Sequence, residues 1–201
     1  MSRAKNKAFL ILFIFQLFGC TQEVGNSFSQ KTSYKFKLKN GTIVCRLGNG
    51  YFSNYFRLYA SKEQRYSHIG IISVENDSLM VYPTEASELT GVGYVKRESL
   101  DSFLKGITVY GFYEFNYPQE VISNIVDNVK EYHTIKAPFD LSFDSYDDSK
   151  LYCTELIARA INNTDNTTKI EPTLKLNGKN LFSLEDIYLN KKVEVIHLSL
   201  N

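Results

Sequence analysis

The chain has 201 residues, enough for one domain with a hydrophobic core, and its 43% hydrophobic content argues against a disordered protein. Its formal net charge of +1 is nearly balanced, so no field of the whole protein indicates a nucleic-acid partner. Its three cysteines, Cys20, Cys45 and Cys153, are too few for a disulfide scaffold and lack the spacing of a zinc site, so we expect neither a metal nor a cofactor.

The first twenty residues have the layout of a secretory signal. Three basic residues within the first seven positions precede an apolar run over 8–18, which is too short to span a bilayer as a mature anchor. The run ends in Leu17-Phe18-Gly19-Cys20, which resembles a bacterial lipobox, although ordinary cleavage is the alternative because Phe18 is bulky. We predict a signal peptide over 1–20, lipidation of Cys20, and an exported protein anchored to a membrane of the bacterial cell envelope.

A polar stretch over 21–35 shows no sustained apolar period, and we interpret it as a flexible tether before a single domain over 36–201. Alternating and continuous apolar runs predict strands at 34–39, 42–46, 65–74, 79–82, 91–95, 107–115 and 193–198. Apolar residues at helical spacing predict helices at 51–60, 118–133, 150–160 and 183–189.

A cysteine stands near the start of the third of these predicted helices. Asp148 and Ser149 precede its apolar stripe and are candidate capping residues. A thiol in a first helical turn feels unpaired backbone N–H groups and the positive end of the helix dipole, which favour the thiolate. Cys153 is therefore a candidate nucleophile, and the alternative is a small apolar core residue. Cys45 is expected to face the core from a buried strand.

His68 stands at the start of the predicted strand over 65–74, where an imidazole with a pKa near neutral can accept a proton from a thiol. A cysteine–histidine pair needs a third polar group to hold the ring's tautomer and orientation. Glu85 is the first choice for that role and Glu88 is the reserve. The alternatives are a structural histidine and solvated acids. A metal site on His68 and Cys153 is a weaker hypothesis, because no spacing supplies two more ligands.

Three segments of the chain are similar to motifs of the permuted papain-like amidases, the YiiX/YebB branch of the NlpC/P60 cysteine peptidase superfamily. The motifs of the histidine strand, the cysteine helix and the preceding loop correspond to Tyr66-Ser67-His68-Ile69-Gly70-Ile71, Tyr152-Cys153-Thr154-Glu155-Leu156-Ile157, and Ala137-Pro138-Phe139-Asp140 with Phe143. The histidine precedes the cysteine, which is the circularly permuted order, and the similarity covers about residues 38–198.

This resemblance implies a circularly permuted papain-like α+β fold, with a central, mostly antiparallel sheet, helices packed on it, and the nucleophile at a helix N-terminus. It also implies a cysteine hydrolase, an amidase or peptidase, in which Cys153, His68 and Glu85 form a triad and an acyl group is carried on the sulfur. The residues expected to contact the substrate flank the two reacting residues: Tyr66, Ser67 and Tyr152.

A hydrolase tethered in the envelope has peptidoglycan stem peptides within reach, so a peptide or amide, with peptidoglycan fragments as first candidates, is the expected partner. If a nucleophile other than water resolves the acyl-enzyme, the protein is an acyltransferase or thioesterase that acts on a lipid or an acylated amine. The remaining alternative is a non-catalytic envelope lipoprotein that uses the same fold as a binding module.

Overall fold

The computed structural model describes residues 38–199 except positions 60, 148 and 168, and for Phe52 it describes the backbone alone. The signal peptide over 1–20, the lipidation of Cys20 and the tether over 21–35 lie outside these residues, as does most of the strand predicted at 34–39. Within the described ranges, no helix combines the length and the apolar character needed to cross a membrane.

The described residues form nine strands and five helices. The strands are β1 Ile43–Arg46, β2 His68–Glu75, β3 Ser78–Ala86, β4 Gly93–Val95, β5 Glu98–Ser99, β6 Tyr110–Phe115, β7 Leu174–Leu176, β8 Lys179–Leu181 and β9 Val193–Leu198. The helices are α1 Tyr51–Tyr59, α2 Leu100–Phe103, α3 Gln119–Thr134, α4 Cys153–Thr164 and α5 Leu184–Tyr188.

One sheet organises the domain, with the strand order β4-β3-β2-β1-β6-β9 and with β5 paired to β3. All of its pairings are antiparallel, and the separate hairpin of β7 and β8 is antiparallel as well. The α+β class and the mostly antiparallel sheet expected from the sequence are therefore confirmed. The central position of β1 and β2 explains their nearly continuous apolar character, because both of their faces are covered.

The hairpin of β2 and β3 brings two candidate residues to the same end of the sheet. Its turn contains Asn76 and Asp77 at φ +48° and +62°, the left-handed conformation that tight hairpin turns require. The sequence predicts that β3 ends at Tyr82, but the strand continues through Pro83 to Ala86. Pro83 is tolerated because it falls between the β3 residues paired with β5 and those paired with β4. The extension carries Glu85 alongside the start of β2.

Helix α4 packs against α3, α5, β2 and β3, and its first six residues are all buried. The expected apolar stripe of α3 faces this core through Ile122, Ile125, Val126 and Val129. The capping prediction for α4 is wrong, because its N-cap is Tyr152, whose side chain makes no capping hydrogen bond. The chain just before it is extended, with Leu151 bridged to Phe139, so the helix begins later than Ser149.

Candidate active site

Cys153 lies in the first turn of α4, as the sequence predicts, although the helix begins at Cys153 rather than at Lys150, and only 4% of the residue is exposed. The backbone N–H groups of Ile69, Thr154 and Cys153 itself lie close enough to the sulfur to lower the pKa of the thiol. The donors of Thr154 and Cys153 are available because the first N–H groups of a helix have no partner within it. The Ile69 donor comes from β2, so the sulfur lies where the helix start meets the second residue of that strand.

The thiol of Cys153 is protonated at neutral pH, contrary to the thiolate expected from its place at a helix start. The pKa of the thiol is raised to about 12, chiefly by burial and also by the nearby Glu85 carboxylate. The three backbone N–H groups oppose this rise only in part. Loss of water around the sulfur therefore outweighs the helix-terminus effect. Cys45 is fully buried in β1, as predicted, and burial raises its pKa as well.

His68 opens β2 and is 8% exposed, with its ring tilted by 30° against the ring of Phe103 at 5.6 Å between centroids. Its Nε2 atom is buried, has no hydrogen-bond partner, and lies 4.0 Å from Oε1 of Glu85. Burial, reinforced by the cations Arg46 and Lys96 and opposed by Glu85, lowers the pKa of His68 to about 3. The expected near-neutral pKa is therefore wrong, and the imidazole is uncharged at neutral pH.

The Glu85 carboxylate lies within 4.0 Å of nitrogen atoms of three side chains, Arg46, Lys96 and His68. Its Oε1 atom accepts a hydrogen bond of 2.7 Å from Nη2 of Arg46, and its Oε2 atom accepts one of 3.0 Å from Nζ of Lys96. Burial alone would raise the pKa of Glu85, but the cations Lys96 and Arg46 help to hold it below its ordinary value, so the group is ionised. Glu88, the reserve candidate, is exposed and makes no ion pair with His68 among those of the described residues.

Cys153, His68 and Glu85 line one pocket with a volume of about 80 Å³. A pocket of this size places the three side chains around a space that holds a few water molecules. Its apolar wall consists of Phe56, Phe139, Leu141 and Phe143, and its remaining lining is mostly polar: Ser53, Ser67, Thr84, Ala86 and Glu88. The structure thus brings together the two proposed reacting residues, both candidate acids and Ser67.

The three residues expected to contact substrate have different positions. Ser67 lines the pocket and its hydroxyl accepts a hydrogen bond of 3.0 Å from the Gly48 N–H. Tyr66 and Tyr152 are each 1% exposed and do not line it. The Tyr66 hydroxyl lies 3.0 Å from that of Tyr113, and the Tyr152 hydroxyl accepts from the Phe182 N–H at 2.7 Å. Both tyrosines are core residues, so their position does not fit the substrate-contact expectation.

Sequence reasoning missed Arg46 and Thr84. Arg46 lies opposite His68 in the pairing of β1 and β2, its guanidinium stacks 4.3 Å above the Phe103 ring, and it donates to Glu85. A charged residue at the end of an otherwise apolar strand was the available signal. Thr84 is fully buried and has an unpartnered hydroxyl, which is visible only once β3 is known to continue past Pro83.

Comparison with known proteins gives a fold but no family. No family model matches the chain, and no curated protein matches it. The crystal structure of the metalloprotein YiiX from Escherichia coli O157:H7 is similar, with a TM-score of 0.67, 15% identity, and coverage of 83% of this chain and all of that one. The chain therefore has a YiiX-like fold. Among the described residues, no three His, Cys, Asp or Glu side chains are grouped so that they could hold a metal ion.

Proposed function

We propose that this domain is a cysteine hydrolase that cleaves an amide bond through Cys153, His68 and Glu85. The observation that carries the proposal is the shared pocket, which is lined by a thiol at a helix start, an uncharged imidazole and a carboxylate 4.0 Å from that imidazole. Nucleophile, base and orienting acid within one small pocket are the components of thiol-dependent acyl transfer. The YiiX-like fold is compatible with this assignment.

In the proposed mechanism the imidazole acts as a general base rather than as half of a resting ion pair. As the sulfur of Cys153 attacks the amide carbon, its proton passes to His68, and the new carbon–sulfur bond forms. Nε2 faces Glu85, which leaves Nδ1 to accept the proton. The carbon–nitrogen bond then breaks, the imidazolium gives its proton to the departing amine, and water hydrolyses the thioester with His68 again as base.

The remaining groups of the pocket are assigned to the two charges that develop during the reaction, the positive charge on His68 and the negative charge on the oxygen of the attacked carbonyl. The Glu85 carboxylate stabilises the imidazolium that forms at His68, although Arg46 and Lys96 share it. The Cys153 N–H at the start of α4 is the proposed first donor to the oxyanion, because a helix N-terminus favours negative charge. The burial of Cys153 and His68 strengthens both interactions.

The biological setting is proposed from the sequence. The secretory layout over 1–20 and the lipobox-like end at Cys20 support export to the cell envelope with a lipid anchor and a tether over 21–35. A peptide or amide of the envelope, such as a peptidoglycan stem peptide, is the proposed substrate. The order of His68 before Cys153 and the three matching motifs support membership in the circularly permuted papain-like branch of the NlpC/P60 superfamily.

An activated ester tests the proposal without knowledge of the natural substrate. The full chain in detergent is mixed with p-nitrophenyl acetate, and release of nitrophenol and the intact mass of the protein are followed. We expect an acetyl group on Cys153 and turnover in the wild type and in the Cys45→Ser control, and neither in Cys153→Ser. Nitrophenol release at the same rate in Cys153→Ser would overturn the nucleophile assignment. Peptidoglycan digests, with Cys153→Ser as the blank, then test the amide substrate.

The raised pKa of Cys153 favours a second candidate, a non-catalytic binding module of the envelope, since a protonated thiol is a poor nucleophile. If the domain is a binding module, Cys153 should remain unacetylated in the p-nitrophenyl acetate experiment, and the protein should still bind a fragment from the peptidoglycan digest. An acyltransferase or thioesterase would instead acetylate Cys153 and pass the group to an added amine or thiol faster than to water. The ester experiment therefore separates the three functions.

A further inference from the structure

Large apolar side chains are exposed around the mouth of the pocket. They lie on three segments beside it: the start of α1, the loop between β3 and β4 with the first part of β4, and the loop before α4. In order of exposed fraction, from 94% down to 43%, they are Leu89, Tyr146, Tyr51, Val92, Leu141 and Tyr94. Single exposed apolar side chains are ordinary, but a group of them on one surface indicates an interaction site.

Contacts between the three segments make these residues neighbours. Gly91 of the loop between β3 and β4 is so close to Leu141 that an added Cβ would lie 2.9 Å from its Cδ1 atom. A Cβ added to Gly50, the residue before α1, would overlap the carboxylate of Glu88, which belongs to the same loop. Leu141 and Glu88 both line the pocket. The three segments therefore meet at its mouth.

A groove extends this surface away from the pocket. It has a volume of about 480 Å³ and is lined by the start of α1, the loop before α4 and the hairpin of β7 and β8. Most of its lining side chains are apolar: Tyr51, Tyr55, Leu141, Phe143, Leu176 and Leu181. Tyr146 adjoins the hairpin, since its hydroxyl accepts a hydrogen bond of 3.3 Å from Nδ2 of Asn180. Because the groove and the pocket share Leu141 and Phe143, apolar surface continues from one to the other.

The loop between β3 and β4 holds its apolar side chains in water through its own hydrogen bonds. The Ser87 N–H donates to the Val92 carbonyl at 2.9 Å, and the Gly91 N–H donates to the Ser87 carbonyl at 2.8 Å. These bonds close a turn, and Leu89 is exposed within it. Exposure of leucine to water costs free energy, which a partner that covers the side chain would recover.

The charges around the mouth are nearly balanced. Within the pocket two carboxylates face two cations, and beside the groove Asp144 lies 3.6 Å from Nζ of Lys179. Next to Tyr146 the sequence adds Asp147, Asp148 and Lys150, so the excess is one negative charge. Such a surface has no strong field to attract a highly charged partner. Exposed leucine, valine and tyrosine with little net charge fit the interface of a lipid bilayer, where tyrosine is enriched.

The proposed lipid anchor brings this surface within reach of a membrane. Lipidation of Cys20 would leave residues 21–37, which are 17 residues, before the described chain begins at Leu38. Seventeen residues can span up to about 58 Å, and as a coil they typically span about 23 Å. The Gly41 N–H donates to the Ile72 carbonyl, so the chain enters beside β2 about 13 Å along the strand from His68. The anchor therefore allows the mouth to face the same membrane.

We propose that Tyr51, Leu89, Val92, Leu141 and Tyr146, here called the mouth surface, dock on the interface of a lipid bilayer, so that the pocket opens onto the membrane. The contact is apolar and needs no anionic lipid. The inference rests on the proposed anchor, which supplies the membrane, and does not depend on the thiol chemistry. It goes beyond the proposed function because it assigns the face that the domain turns to the membrane.

Tryptophan fluorescence tests this orientation, because the chain contains no natural tryptophan. Leu89→Trp places one reporter on the mouth surface. Val195→Trp places a matched reporter on β9, at the opposite edge of the sheet from β4, where the valine is 56% exposed. The full chain is reconstituted from detergent into phosphatidylcholine vesicles with and without lipids brominated high in their acyl chains. We expect Leu89→Trp to lose most of its emission in the brominated vesicles and Val195→Trp to lose little.

Two comparisons test the nature of the contact. High salt should leave the quenching of Leu89→Trp unchanged, because salt screens charges and not apolar contacts. Quenching that disappears at high salt would overturn the apolar docking. A second reporter, Tyr146→Trp, should be quenched as well. Addition of Val92→Asp should reduce its quenching, whereas addition of Val195→Asp should not, and equal effects of the two aspartates would contradict the role of the mouth surface.

The remaining outcomes separate docking from the other proposals. Equal loss of emission at positions 89 and 195 would overturn the inference, since no face would then be preferred. Weak quenching of Leu89→Trp in chains that still float with the vesicles would overturn the docking and retain the anchor. Chains that do not float with the vesicles would overturn both. Release of nitrophenol by Leu89→Trp in detergent tests the hydrolase separately, because that assay contains no bilayer.

Discussion

Nη2 of Arg46 lies 2.7 Å from Oε1 of Glu85, the same oxygen that faces Nε2 of His68 at 4.0 Å. The arginine therefore holds the acid that the imidazole needs, and it also lowers the pKa of that imidazole. One cation thus orients the carboxylate and keeps His68 uncharged in the resting protein. This relationship leads to the first prediction.

Replacement of Arg46 by methionine should raise the pKa of His68 by about one unit toward its ordinary value of 6.5, because a nearby positive charge is removed and Glu85 is freed. The measurement is a titration of the ring protons by NMR, and the other two histidines, His133 and His197, serve as internal references. Lys96→Met is the matched control and should give a smaller rise, since Lys96 is more exposed. An unchanged His68 pKa in Arg46→Met would contradict the electrostatic role.

Alkylation of Cys153 by iodoacetamide should be slow at mildly acidic pH and should rise steadily through pH 9 and above. The reason is that burial holds the pKa of the thiol near 12, so the thiolate fraction grows about tenfold per pH unit below that value. Intact mass after timed exposure measures the rate. Cys45, fully buried within β1, should remain unmodified and provides the internal control. A rate plateau below pH 7 would instead indicate a resting thiolate–imidazolium pair.

The free energy of unfolding should fall as the pH drops below 6.5. His68 has a pKa of about 3 in the folded protein and 6.5 as its ordinary value, so between these values the unfolded chain binds the extra proton and is favoured. Each pH unit in that window should cost about 1.4 kcal/mol. Urea unfolding at pH 7 and at pH 5 measures the change in the free energy of unfolding. Between these two pH values His68→Gln should lose about 2 kcal/mol less of it than the wild type. An identical loss in both proteins would show that His68 is not buried uncharged.

Glu155 should give the opposite dependence on pH. It is fully buried in α4, and burial raises its pKa to about 8, although Arg159 opposes the shift. Between its ordinary value of 4.5 and 8 the folded protein binds the extra proton, so stability is lost as the pH rises through that window. Glu155→Gln, which mimics the protonated acid, should become more stable relative to the wild type between pH 5 and pH 8 in urea unfolding. Glu120 is exposed, so Glu120→Gln should show no such gain in stability. The prediction would be contradicted if the free energy of unfolding of Glu155→Gln and of the wild type changed equally with pH.

Most elements of the fold could be predicted from the spacing of apolar residues. The central strands β1 and β2 and the helix α3 each bury a regular series of apolar side chains. The hairpin of β7 and β8 was missed, although Asn177-Gly178 with φ +51° and +80° is a typical hairpin turn between alternating leucines. The strand predicted at 79–82 stops short of the observed end at Ala86, because proline usually ends a strand and the gap between β5 and β4 is not visible in the sequence.

The positions of the candidate site residues could be predicted better than their protonation. Local motifs placed Cys153 at a helix start and His68 at a strand start, because both depend on neighbouring residues. Their pKa values depend instead on burial beneath distant elements and on Arg46, which comes from a different strand. Tyr66 and Tyr152 lie within two residues of His68 and Cys153 in sequence, yet both side chains lie in the core, which local sequence does not reveal.

The backbone amide of Ile69 has a consequence for how such a site can diversify. Strand β2 supplies the imidazole through His68 and, through Ile69, a backbone N–H that lowers the pKa of the thiol, so both influences come from one strand at the centre of the sheet. Several residues of the pocket wall, such as Leu141 and Glu88, belong to connecting segments instead. Exchange of these connecting segments can therefore change which ligand the pocket binds, while the thiol and the imidazole keep their positions.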